Sequence, residues 1–142
     1  MLPEIDREKT RDAVGSALEK YRFYLLTIPE ERLPKVTASY SLAASAPSNQ
    51  FHSSTETAVI YKVDYERERD EYIERIRKAV NRLNFKEREI IIKRYLDGDD
   101  EVFDYEIYNE IGYGERKYYR LKARLFYKLA FLLKIEVYKE KY

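Results

Sequence analysis

The stretch Asp104-Tyr-Glu-Ile-Tyr-Asn-Glu-Ile-Gly-Tyr-Gly-Glu-Arg-Lys-Tyr-Tyr-Arg-Leu-Lys-Ala-Arg-Leu-Phe-Tyr-Lys-Leu129 decides how this chain is read. Residues 104–111 place Ile107 and Ile111 at i, i+4, which predicts a short helix. Gly112 can take the left-handed conformation that ends a helix, so Gly112-Tyr-Gly114 reads as a turn. Helical periodicity then resumes over 115–133, with Tyr118, Leu121, Leu125 and Leu129 as the inner stripe. Arg116, Arg120, Ala123, Arg124, Tyr127 and Lys128 are left pointing outward. A short helix, a glycine turn and a second helix with a cationic outer face make the helix-turn-helix arrangement. Its second helix fits the major groove of B-DNA.

Upstream, Asn84 and Glu87 have the spacing of a capping box, which predicts a helix over 85–96. Ile90, Ile91, Arg94 and Tyr95 complete its turns before Asp97-Gly-Asp-Asp100 breaks it. Asp104 is the expected N-cap of the next helix, with Phe103 and Tyr108 at the positions of a hydrophobic staple. Helices 85–96, 104–111 and 115–133 form a trihelical unit, the first closing a core over the other two. Asp97, Asp99 and Glu101 alternate as calcium ligands do. The sixth position of that loop lacks the EF-hand glycine and the twelfth, Tyr108, is not glutamate, so a solvated turn is expected.

The N-terminal part is helical as well. A helix over 6–28 is expected from Asp6 as N-cap, with Pro29 and Pro34 ending it. Val14, Leu18, Tyr21, Leu25 and Ile28 step along it as a narrow apolar seam, suited to an intramolecular helix pair or to a homodimer. Residues 35–53, rich in small and polar types, read as a linker, and His52 near its end as an ordinary exposed histidine. Ser53 with Glu56 resembles a capping box before a long helix over 54–83. That helix places Ile73, Ile76, Val80 and Leu83 on one face, and its run from Asp64 to Glu71 is expected to be solvated. The fold expected is all-α: N-terminal helices over 1–83, joined by their linker to a C-terminal helix-turn-helix domain over 84–142.

Composition narrows the function. Across 142 residues there is no Cys and one His, which leaves no thiolate metal site and too few soft ligands for catalytic zinc. No cofactor is implied. The start, Met1-Leu-Pro-Glu-Ile-Asp-Arg7, lacks the apolar run of a secretory signal, and no segment has the length of a membrane span. The expected location is the cytoplasm of the host bacterium. A net charge of +1 conceals an asymmetry. From Gly112 onward nine Lys and Arg face three Glu, whereas the preceding residues hold 18 basic and 23 acidic groups. Local potential near phosphates, rather than total charge, governs nucleic-acid affinity.

The runs Leu83-Asn-Phe-Lys-Glu-Arg-Glu-Ile-Ile-Ile-Lys-Arg-Tyr95, Ile107-Tyr-Asn-Glu-Ile-Gly112 and Tyr118 to Leu129 resemble the fourth region of bacterial sigma factors, which reads the upstream promoter element. Residues 104–112, Tyr118-Tyr-Arg120 and Leu129-Ala-Phe-Leu-Leu-Lys-Ile-Glu-Val-Tyr138 resemble ArpU-type phage late transcriptional regulators. Ile5-Asp-Arg-Glu-Lys-Thr10 and Lys20-Tyr-Arg22 extend that resemblance toward the N-terminus. It implies a DNA-binding activator of late phage genes. Sigma factors usually cap the reading helix with Ser or Thr, whereas this chain has Gly114. Nothing in it matches the sigma regions that melt promoters or hold the polymerase clamp. Recruitment of RNA polymerase by a DNA-bound activator is the expected mode.

Arg116 and Arg120, one turn apart, suit bidentate contacts to guanine. Lys117, Tyr119 and Lys122 flank them as phosphate holders, and Arg124 and Lys128 continue the phosphate contacts along the helix. Glu115 favours the helix dipole and can accept from a cytosine amino group. Two other classes compete. A sigma-like protein-interaction module would dock on polymerase or oligomerise, presenting Tyr108, Tyr113, Tyr118, Tyr119 and Tyr127. An enzyme is the weakest reading, because no nucleophile and base pattern or phosphate-cradling glycine loop is present. Asp97, Asp99 and Asp100 are adjacent but belong to a turn.

Overall fold

The computed structural model describes residues 4–44, 56–97 and 102–140. Five helices dominate it: α1 (Arg7–Leu26), α2 (Glu56–Asn81), α3 (Phe85–Ile91), α4 (Asp104–Ile111) and α5 (Glu115–Leu133). Among the described residues the chain is all-α apart from one small hairpin and an isolated bridge between Ile5 and Tyr138. His52, the expected capping box from Ser53 and the acidic residues Asp99 to Glu101 lie outside the described residues.

Local sequence explains most helix boundaries. The Asp6 carboxylate accepts from the Lys9 amide at 3.0 Å and starts α1. Asn84 and Glu87 form the reciprocal capping box of α3, at 2.9 and 3.1 Å. α3 then passes into a π turn, Ile92–Leu96, in which the Asp97 amide reaches back to the Ile92 carbonyl at 2.7 Å. The wider turn keeps both Ile92 and Leu96 in the core.

The apolar seam of α1 packs within the molecule. Val14, Leu18 and Tyr21 are buried, and Leu25 and Ile28 pack at the edge of the same core. They are therefore not free to form a dimer seam. α1 lies most extensively on α5, and both also contact α2. One core runs through Ile73, Ile76, Val80 and Leu83 of α2, Ile90 and Ile91 of α3, Ile107 of α4, and Leu125, Phe126, Leu129 and Leu133 of α5. It crosses the division near residue 83 without a break.

Two expectations are corrected. Residues 35–44 are not a plain linker: β1 (Lys35–Val36) pairs antiparallel with β2 (Leu42–Ala43). Leu42 is buried, and the Asn81 side-chain amide bonds both its N–H, at 2.9 Å, and its C=O, at 3.0 Å. Asn81 thus acts as a third strand edge for one residue. The charge run of α2 is also not wholly solvated. Arg69 is 3% exposed because its guanidinium donates to the Thr27 carbonyl at 3.1 Å, at the negative end of α1.

The ends of the described chain meet. The Asp6 amide donates to the Val137 carbonyl and the Lys139 amide to the Glu4 carbonyl, both at 2.8 Å. The Thr10 hydroxyl bridges both backbone groups of Val137.

Candidate nucleic-acid interface

The turn between α4 and α5 forms as its residues require. Gly112 stands at φ 77°, ψ 24°, and the Tyr113 amide closes on the Tyr108 carbonyl at 2.9 Å. Gly114 caps α5 at φ −71° without a side-chain acceptor. Tyr118 enters the core fully buried and meets the Tyr108 ring at 5.5 Å.

Asp104 does not cap α4. It is the first helical residue, and the Glu106 carboxylate instead accepts from the Phe103 amide at 3.2 Å. The expected staple is absent too, since Phe103 stacks on Tyr105 at 5.7 Å while Tyr108 turns to Tyr118 and Tyr119. The Asp104 carboxylate accepts from the Tyr118 hydroxyl at 2.6 Å, from Arg94 at 3.0 Å and from Lys122 at 3.0 Å. One carboxylate therefore ties the π turn, α4 and α5 together. Burial would raise its pKa, but the hydrogen bonds from Tyr118 and Lys122 and the charges of Lys122 and Arg94 hold it below the ordinary value. Burial, then the bond to Asp104, pushes the Tyr118 phenol well up.

On the outer side of α5, Glu115, Arg116, Arg120, Ala123, Arg124, Tyr127 and Lys128 are all exposed, on the face the periodicity assigns. Arg116, Arg120 and Arg124 stand at successive i+4 positions, a column about 12 Å long. None of the three has an ion pair or hydrogen bond among the described residues. Tyr119 is half-exposed beside them, its ring edge-on to Tyr118 at 5.3 Å. The Lys117 amine lies over the Tyr113 ring at 4.4 Å.

The lysines differ from the arginines. Lys122 is held by Asp104 and is largely covered. Lys128 reaches Glu87 at 2.8 Å, and Glu87 is fully buried. Periodicity finds the face of a residue but not a partner 41 positions away in the chain, so these commitments had no sequence signal. Glu87 itself was visible as a capping residue, and its second role was not.

Among the described residues no group of His, Cys, Asp or Glu is arranged to hold a metal ion, and no helix is long and apolar enough to cross a membrane.

No family model and no solved structure matches the chain. Two proteins are similar over nearly its whole length. The uncharacterized phage-related protein Lin1259/Lin1739 of Listeria innocua is 32% identical over 138 residues, covering 97% of this chain and 96% of that protein. Protein Gp66 of Listeria phage A118 is 28% identical over 139 residues, covering 96% and 94% respectively. The chain belongs to the family of phage-related proteins that includes the Listeria innocua protein.

Proposed function

We propose that this protein is a sequence-specific double-stranded DNA-binding regulator, an ArpU-type activator of late phage genes, and that α4 and α5 act as its helix-turn-helix. The observation that carries this reading is the exposed column Arg116, Arg120 and Arg124, without an ion pair or hydrogen bond among the described residues while Lys122 and Lys128 are ion-paired. Unpaired guanidinium groups on one helix face match guanine edges and phosphates in a major groove. Arg116 and Arg120 read bases. Arg124, Lys117 and Tyr119 hold phosphates, and Glu115 accepts from a cytosine amino group. Lys122 keeps α5 seated through Asp104, and Lys128 keeps it seated through Glu87. Each contributes to phosphate contact only as far as its ion pair yields. The protein works without a catalytic step or cofactor, in the host cytoplasm, and recruits the bacterial RNA polymerase to the DNA it occupies.

The alternative, a sigma-like interaction module that docks on RNA polymerase or oligomerises without reading DNA sequence, draws on five tyrosines. Tyr118 is fully buried and Tyr108 and Tyr113 pack against the core, which leaves Tyr119 and Tyr127 for such a surface.

Selection from random duplexes followed by sequencing is the test. The unaltered protein enriches a motif, and binding weakens as salt rises because phosphate contacts release counterions. Arg116→Ala with Arg120→Ala lowers affinity for that motif by about 100-fold, at 1–3 kcal/mol for each bidentate contact. Enrichment of no motif, or undiminished affinity in the double variant, defeats the proposal.

A further inference from the structure

One face of α1 is buried inside the molecule, and the face beside it is only partly covered. Roughly a quarter turn round the helix from the buried seam stand Gly15, Glu19, Arg22 and Leu26, spaced by four, three and four residues. Leu26 is 81% exposed and neighbouring Phe23 is 61% exposed. They border an open groove whose floor and far wall include Gly15, Tyr95 and Leu96.

Gly15 is the second sign. Glycine in mid-helix is destabilising relative to alanine, so its presence asks for a reason. Packing among the described residues supplies none: beyond the helix's own adjoining backbone, no heavy atom of theirs lies within 4 Å of where a Cβ would stand. A position kept flat without an internal neighbour suits the close approach of something from outside.

We propose that the occupant is α1 of a second copy, laid antiparallel about a two-fold axis that passes between residues 20 and 21. The stripe is its own complement when reversed. Leu26 of one copy then covers Gly15 of the other, and Glu19 meets Arg22, each pairing occurring twice by symmetry. Large sits on small, and negative on positive. A parallel pair would set Leu26 on Leu26 and Glu19 against Glu19, opposing like charges. Arg22 has contacts within its own chain, but a guanidinium carries five donors and can serve a second acceptor. The seam shares no residue with the arginine column of α5, so it stands or falls independently of DNA reading.

The absence of Cys makes cross-linking a clean test in the full chain. Residues 15 and 26 lie about 16 Å apart along one helix, too far for a disulfide within the chain. The variant carrying Gly15→Cys and Leu26→Cys forms a covalent dimer on mild oxidation. Each single variant stays uncross-linked, because its two cysteines lie about 16 Å apart across the axis. In sedimentation equilibrium the unaltered chain has twice the 17.2 kDa monomer mass, and Leu26→Glu returns it to the monomer. The proposal is overturned by a monomer mass for the unaltered chain up to about 100 µM, a weak-binding limit. It is equally overturned by a dimer that Leu26→Glu leaves intact, by a double variant that does not cross-link, or by Leu26→Cys cross-linking alone.

Discussion

Asp104 shows how one side chain can hold the geometry of a candidate reading helix. Its three partners come from two other segments, and two of them, Tyr118 and Lys122, lie on α5 itself. Replacing it by Asn keeps the shape but removes the charge that Lys122 and Arg94 face. We expect Asp104→Asn to cost about 2 kcal/mol near neutral pH, the usual scale for hydrogen bonds to a charged group. The folded-state pKa of Asp104 is depressed, so its stabilising contribution is fully present above the unfolded value near 3.8 and is lost as pH falls through the folded one. Urea titrations of the two proteins should therefore differ at pH 7 and converge below about pH 4. A constant difference down to pH 2 counts against this role. The sequence shows Asp104 as a helix-start residue, which is nearly its position. It does not show the clamp, because the partners are fixed only once α5 has packed.

Among elements, α5 was the most legible. Its bounds and its exposed face follow from period and glycine punctuation, and the α3 capping box follows from two residues three apart. The hairpin and the π turn were not legible. Strands of two residues carry no periodic signal, and a hairpin held by Leu42 and Asn81 depends on a residue 39 positions away. The buried Glu87 has a similar dependence, since Lys128 partners it across two helices. Lys128→Ala should lower stability by about 1–2 kcal/mol in urea unfolding, less than for a wholly buried pair because the lysine is half-exposed. In the proposed complex with DNA, it should also change the salt dependence of binding less than Arg124→Ala does. At the start of α5, Gly114 has ordinary backbone angles and open space around a would-be Cβ. Gly114→Ser supplies the missing cap acceptor and should add a few tenths of a kcal/mol, visible as a small rise in melting temperature. A fall would mean that the hydroxyl meets no amide there.

At the scale of the molecule, α1 and α5 share one core although they lie at opposite ends of the sequence. Sequence periodicity identified the inward face of each but could not say that they face one another. A fragment of residues 84–142 would leave α5 without its α1 and α2 neighbours. It should show no cooperative thermal transition by circular dichroism, whereas the full chain should unfold in one step with coincident probes. A cooperative transition in the fragment would show that the trihelical part stands alone. The backbone bonds between Asp6 and Val137 and between Glu4 and Lys139 carry a further consequence for synthesis. On the ribosome α1 emerges long before α5, so the part of its apolar side that α5 covers must stay uncovered, or be shielded by a chaperone, until α5 has been made.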